Sequence, residues 1–247
     1  MAVYKAVDSD TLDKSLKNIA DSIREKGGTS AKLTFPEEFS SAIDNIETFS
    51  DVLDSIINGS ITELDNSTAT KLGQYAFAYS ENLRRVNLTG VKYSNTGAFT
   101  NCFALETLLL PNLVGYTYQY MAAYCENLRE VDIRQASYIS NHTFHQCISL
   151  TSLDLHKAGT IASNAFNGAT NLETLILRMD TIPSLTSANA FTDTKIEAGQ
   201  GYIYVPAALI ESYRTASNWS SFRTRFRALE NYTVDGTVTG DLDTDRI

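Results

Sequence analysis

The sequence predicts an α/β solenoid. About six right-handed coils stack into a concave parallel β-sheet, between an N-terminal helical cap and a C-terminal strand–helix cap. Three observations carry this reading. An apolar triplet recurs with leading residues Leu83, Leu105, Leu128, Leu150 and Leu172, so successive copies start 22, 23, 22 and 22 residues apart. Behind each triplet comes one further aliphatic residue, and behind that, in most copies, a Phe. A repeat of this length is one supersecondary unit that cannot bury its apolar side alone, and stacking lets the next copy cover it.

Residues 1–50 read as a helical cap or attachment module. Leu12, Leu16, Ile19 and Ile23 form one apolar stripe over 8–26, with Asp8, Asp10 and Asp13 at its start and Arg24 and Lys26 in its last turn. Gly27-Gly28 end it. A second helix is expected over 36–47, with Pro36 in its first turn and Phe35, Phe39, Ile43 and Ile46 as its stripe. The short apolar turn of Val52, Leu53, Ile56 and Ile57 leads into the solenoid, which spans 51–198 and starts with a weak copy at Ile61 and Leu64.

Within a copy, two triplet residues two apart, such as Leu108 and Leu110, share one side of a strand and face the interior. The inward aliphatics that follow are Leu72, Val91, Ile139, Ile161 and Ile182. Phe77, Phe99, Phe144, Phe166 and Phe191 then predict a spine of stacked rings. The third copy is one residue longer and holds Ala122 at the Phe position, beside Tyr120 and Met121, which predicts local repacking. Three residues before each leading Leu stands a small residue: Ser80, Cys102, Cys125, Cys147 or Ala169. Spacings of 23 and 22 are unlike a zinc motif, so this column reads as buried packing of free thiols.

The C-terminal cap is expected over 199–232. It comprises a strand at Tyr202–Val205, a helix from Pro206 to about Asn218, and apolar Trp219, Phe222, Phe226 and Leu229. Polar residues 233–247 read as a mobile tail. Asp241, Asp243 and Asp245 imitate the start of a calcium loop, but the Gly and distal Glu of such a loop do not follow. No metal ligand set and no cofactor is expected.

The Leu-x-x-Leu-x-Leu, Ile, Ala-Phe and Cys/Ser pattern resembles the BspA-like class of bacterial leucine-rich repeats over about residues 61–196, and the period falls within the 20–29-residue leucine-rich range. The resemblance implies a right-handed leucine-rich solenoid with a surface or adhesion role. It carries over no functional residue, because the matching positions are structural. Ile19-Ala-Asp-Ser-Ile-Arg-Glu-Lys-Gly-Gly-Thr-Ser, with Phe35-Pro36, Phe39 and Ile43 behind it, resembles N-terminal modules of phage tail-associated and prophage proteins of gut Firmicutes. That likeness implies attachment through residues 1–47 and an extracellular location, on a phage particle or the bacterial surface. Residues 1–7 show no signal-peptide pattern.

Composition narrows the function classes. The 247-residue chain is 43% hydrophobic and carries net charge −9, which disfavours nucleic acid as a partner. No apolar run reaches the roughly 18 residues of a membrane span. No nucleophile elbow, HExxH or P-loop occurs, so a binding module that recognises a protein or glycan receptor is expected, and not an enzyme such as a hydrolase. Its candidate binding residues lie on the concave face: Arg85, Asn87, Glu130, Asp132, Arg134, Asp154, His156 and Arg178. Asp132 and Asp154 fall on adjacent strands, where Arg134, His156 and Arg178 offset their repulsion. Tyr93, Tyr116, Tyr118, Tyr120 and Tyr138, with Tyr124, suggest an aromatic recognition edge as a second candidate. The oligomeric state is left open.

Overall fold

A computed structural model of the chain describes residues 62–234 and 237–238. They belong to the second of the two units into which the chain divides, Val52–Ile247. The helices expected at 8–26 and 36–47 lie outside the described residues.

Three four-stranded parallel sheets run along the repeats, two of which meet end to end and are together called the first sheet. The first contains β1 (Glu63–Asp65), β2 (Arg85–Asn87), β3 (Thr107–Leu109), β5 (Glu130–Asp132), β7 (Ser152–Leu155), β9 (Thr174–Leu177), β11 (Tyr202–Val205) and β12 (Phe226–Ala228). The second contains β4 (Gly115–Tyr116), β6 (Ala136–Ile139), β8 (Thr160–Ile161) and β10 (Ser184–Leu185). All pairings in both sheets are parallel. In the first sheet, hydrogen-bonded pairing runs β1-β2-β3-β5 and β7-β9-β11-β12, with β7 lying beside β5.

Period-two alternation fixes which side is buried. Val86 is buried between half-exposed Arg85 and Asn87, and Leu108 between Thr107 and Leu109. The leading residues Leu83, Leu105, Leu128, Leu150 and Leu172 are wholly buried. Each contributes roughly 1.5–3 kcal/mol by leaving water. Leu72, Val91, Ile139 and Ile161 are buried as expected, the last two in the second sheet. Ile182 is not their equivalent. Leu185 pairs with Ile161 and is buried, while Ile182 is half-exposed, because the irregular stretch around Pro183 delays the strand by three residues.

The Phe spine is formed. Phe77 stacks on Phe99 at 5.4 Å, Phe144 on Phe166 at 6.0 Å and Phe166 on Phe191 at 5.3 Å. It breaks at Ala122. There Met121, Ala122 and Ala123 are wholly buried, and a hydroxyl pair, Thr117 Oγ1 to Thr143 Oγ1 at 2.7 Å, ties the third copy to the fourth. Two positions flank the spine with positive φ, two residues before and two after it. Tyr75 and Tyr79 hold them in one coil, His142 and Gln146 in another. Their N–H groups extend the intercoil bonding: Tyr75 N–H donates to the Thr96 carbonyl, and Tyr79 N–H to that of Thr100. Those bonds offset the strain of left-handed non-glycine residues, of order 1–3 kcal/mol each. In the next coil Gly97 (φ +62) takes the first position, and Tyr75 fills the space its Cβ would occupy.

The Cys column is built as packing. Cys102, Cys125 and Cys147 donate Sγ–H to the carbonyls of Phe77, Phe99 and Ala122 in the preceding coil, at 3.0, 3.1 and 3.1 Å.

The C-terminal end differs from the expected cap. The strand at 202–205 continues the ladder from β9, and β12 pairs beyond it, so this region adds two rungs. The helix is short, α1 (Ile210–Thr215), and stops at Ala216 with extended backbone. The weak helix formers Thr215, Ser217 and Asn218 explain the early stop. Trp219, Phe222 and Tyr213 are buried, and Phe222 packs on Phe191 at 5.1 Å, which closes the spine. The start of the tail is also paired: β13 (Thr233–Val234) runs antiparallel to β14 (Thr237–Val238). The intervening dipeptide, Asp235-Gly236, is a hairpin signal that the reading of a mobile tail passed over.

Candidate functional site

On the first sheet the registers place Arg85, Thr107 and Glu130 in one row across three strands, and Asn87, Leu109 and Asp132 in another. Nearly every charge there has a partner on the same surface. Asn87 Nδ2 donates to Asp65 at 2.9 Å, and Thr107 Oγ1 donates to Glu130 at 3.3 Å. Arg134 forks onto Asp132, with Nε 2.9 and 3.1 Å from the two carboxylate oxygens. Arg178 reaches back one coil to Asp154, and His156 Nε2 lies 3.4 Å from the same carboxylate. Burial alone would raise the Asp154 pKa, but hydrogen bonds from His156 and Arg178 and the guanidinium charge outweigh it and lower it.

This end of the first sheet is also covered by the chain itself. The Tyr232 ring packs edge-on against Tyr204 at 4.7 Å, and its phenol pKa is raised by burial and by the nearby Asp154 charge. Arg178 keeps only 9% of its side chain in solvent. Of the first-sheet candidates, Asp132 with Arg134 and Asp154 with His156 and Arg178 are brought together and neutralise one another, while Asn87 and Glu130 bond to Asp65 and Thr107.

The tyrosines divide into two groups. The bridge between Lys71 and Tyr93 sets those two side by side on neighbouring coils, and the pairings of Tyr116 with Tyr138 and of Tyr138 with Thr160 set those three in one column. Tyr93 and Tyr116 are more than half exposed, at 51% and 54%. Tyr116 packs on Tyr138 at 4.7 Å and on exposed Tyr118 at 5.9 Å. Tyr120 leaves this column. It stacks on His142 at 4.8 Å across the left-handed turn, and Tyr124 meets His145 edge-on at 5.0 Å. His145 Nδ1 lies 2.9 Å from the Asn167 carbonyl. The His142 pKa is lowered by burial and by His145.

One signal went unread in the sequence. Stretches 66–80, 89–103, 111–125, 134–148 and 156–170, which form the second sheet and the Phe turns, contain no Asp or Glu. Between residues 62 and 173, Glu63, Asp65, Glu106, Glu130, Asp132, Asp154 and Glu173 lie on or next to first-sheet strands, and Glu81 and Glu126 in the turns that lead into them. The second-sheet face instead carries Lys71 and Lys92, both exposed. Over these five coils the second-sheet side is thus free of carboxylates.

Among the described residues no cluster of three or more His, Cys, Asp or Glu could hold a metal ion, and no helix is long and apolar enough to cross a membrane. A surface depression beside β10 is lined by Ile182, Pro183, Leu185, Asn218 and Trp219. Its floor is bound up in structure, since Trp219 Nε1 and Asn218 Nδ2 each donate, at 2.7 Å, to the Pro183 and Leu185 carbonyls.

Comparison with solved structures finds a similar leucine-rich repeat protein from Bacteroides ovatus ATCC 8483, with 21% identity and a TM-score of 0.48. The match covers 69% of this chain and 46% of that one, so this chain spans less than half the length of that relative. The comparison with curated proteins finds no match. Six copies of the BspA type leucine rich repeat region match residues 56–173 and 137–198. Leucine-rich repeat families are typically non-enzymatic, protein-binding scaffolds, and those of this type are commonly surface-associated. By the fold, the period and this match, the chain belongs to the BspA type leucine-rich repeat family.

Proposed function

We propose that the chain is a non-enzymatic binding module that meets a protein or glycan receptor through its second-sheet face. The observation that carries this is the set of exposed Lys71, Tyr93 and Tyr116 with half-exposed Tyr138, set against a first sheet whose charges are largely engaged with each other. Tyr offers large contact area with few rotatable bonds, so little entropy is lost when it is fixed in a contact. A solenoid repeats that contact once per coil.

The test compares three proteins on arrays of matrix proteins and glycans: wild type, Tyr116→Ala/Tyr138→Ala, and Arg85→Gln/Glu130→Gln. The tyrosine variant is expected to lose binding by tenfold or more, about 1.4 kcal/mol, with the first-sheet variant unchanged. Loss only in the first-sheet variant would overturn the assignment.

The likeness of residues 19–46 to phage tail-associated modules supports a virion-borne receptor-binding component. Membership of a commonly surface-associated family supports the second reading, a bacterial cell-surface adhesin that binds host matrix. Fractionation after prophage induction separates the two: recovery with tail particles supports the first, recovery with cell envelopes the second.

A further inference from the structure

We infer that the second-sheet face accepts an acidic polysaccharide, with successive sugar rings laid along the tyrosine column and their anionic groups toward Lys71 and Lys92. This deepens the reading above and rests on it.

Charge complementarity is the first argument. In a chain of net charge −9, the second-sheet and Phe-turn stretches of the first five coils have no carboxylate and three exposed lysines, Lys71, Lys92 and Lys157. Most of the acids sit on the opposite sheet, roughly 10 Å away across the core, about one Debye length at 0.1 M salt. An anion on the second-sheet face therefore meets the local lysines at close range and the acidic sheet only after screening.

Ring geometry is the second. Tyr116 and Tyr138 are centred 4.7 Å apart with planes 35° apart, so they turn part of their faces on each other. Lys71 Nζ stands 5.9 Å from the Tyr93 ring centroid and occupies that face. A neighbour over one face leaves the ring edge and the phenol hydroxyl for a ligand. An aromatic edge carries the positive part of the quadrupole, and the hydroxyl donates a hydrogen bond, so both favour oxygen-rich, anionic groups. Thr160 continues the column with another hydroxyl.

Shape is the third. Coils repeat at the spacing of parallel strands, about 4.8 Å, close to the advance of one sugar ring along a chain. A peptide finds less to hold. The row is open, without a desolvated pocket for an anchoring side chain. Strand addition at the β10 edge is also blocked, because Pro183 has no N–H and the Pro183 and Leu185 carbonyls already accept from Trp219 and Asn218.

The experiment is affinity electrophoresis of the full chain in gels containing polygalacturonate or neutral methylcellulose, at low and at raised salt. Three variants are run beside the wild type: Lys71→Gln/Lys92→Gln, Tyr116→Ser/Tyr138→Ser and the first-sheet control Arg85→Gln. A thermal melt confirms that each is folded. Polygalacturonate is expected to retard the wild type and methylcellulose not. The lysine variant should weaken retardation roughly tenfold, raised salt should weaken it likewise, and Arg85→Gln should leave it intact. Equal retardation by both polymers, or loss only in Arg85→Gln, overturns the inference. So does the absence of retardation. If no polysaccharide binds but the tyrosine variant loses an arrayed protein partner, the glycan assignment falls and the contact face stands. If the tyrosine variant alters neither, both fall.

Discussion

The guanidinium of Arg178 lies across the carboxylate of Asp154 one coil back, with Nε 2.9 Å from each oxygen and Nη2 2.9 Å from Oδ2. Arg178 is almost wholly buried, whereas Asp154 keeps 36% of its side chain in solvent. The pair is a clasp between coils as much as a surface feature. Arg178→Ala removes both the charge and the packed stem, and should cost about 1–2 kcal/mol once solvent screening of Asp154 is allowed for. Arg178→Ala/Asp154→Ala should cost less than the sum of the two single variants, since neither charge is then left alone. Urea denaturation of the four proteins measures this, and strict additivity would show the clasp to be without effect.

The same pair sets an acid limb. The Asp154 pKa is lowered in the folded chain, so its contribution is fully present above the unfolded carboxylate range, near pH 4, and is lost as pH falls through the folded value. The gap in melting temperature between wild type and Asp154→Asn should therefore be widest near neutrality and close at the acid end. A gap independent of pH would contradict this.

Phe166 stacks on both Phe144 and Phe191, and is wholly buried. Phe166→Ala should cost about 3–5 kcal/mol. Because stability in stacked repeats is shared between neighbours, amide exchange should quicken first in the coils of Phe144 and Phe191 and only later around Leu83. Uniform acceleration along the chain would argue against nearest-neighbour coupling.

The free thiols Cys125 and Cys147 are buried, and burial pushes the pKa of each up. Neither thiolate is available to attack in the native chain. Labelling by an aromatic disulfide reagent should leave both unreacted until denaturant is added, as read by mass spectrometry of the peptides. Rapid native labelling of either would mean that the coils open locally.

Much of this was legible before any coordinates. The leading Leu residues, the Phe file and its gap at Ala122 follow from spacing alone, because one repeated unit allows one way to bury its apolar side. The second sheet was harder to see. Its strands are two to four residues long, too short to show period-two alternation, so Leu185 could not be told from Ile182 as the inward residue. The strand at Tyr202–Val205 was legible, but that it continues the ladder and that β12 adds a further rung was hidden, because the two start 24 residues apart and after a gap of 28 from β9, off the regular period. For the site, the Arg134–Asp132 and Arg178–Asp154 pairings follow from column order, but the reach of Tyr232 back toward Asp154 does not. The register of Tyr116 with Tyr138 depends on a one-residue shift at Gly115/Tyr116 that sequence spacing does not disclose.

The division of labour between the two faces is tested most directly by hydrogen–deuterium exchange of the chain with and without its tightest arrayed binder. Protection on binding should concentrate at 91–94, 114–118 and 136–140, with 85–87, 130–134 and 152–156 unchanged. Protection confined to the latter three segments would contradict the account and return the contact surface to the charged sheet.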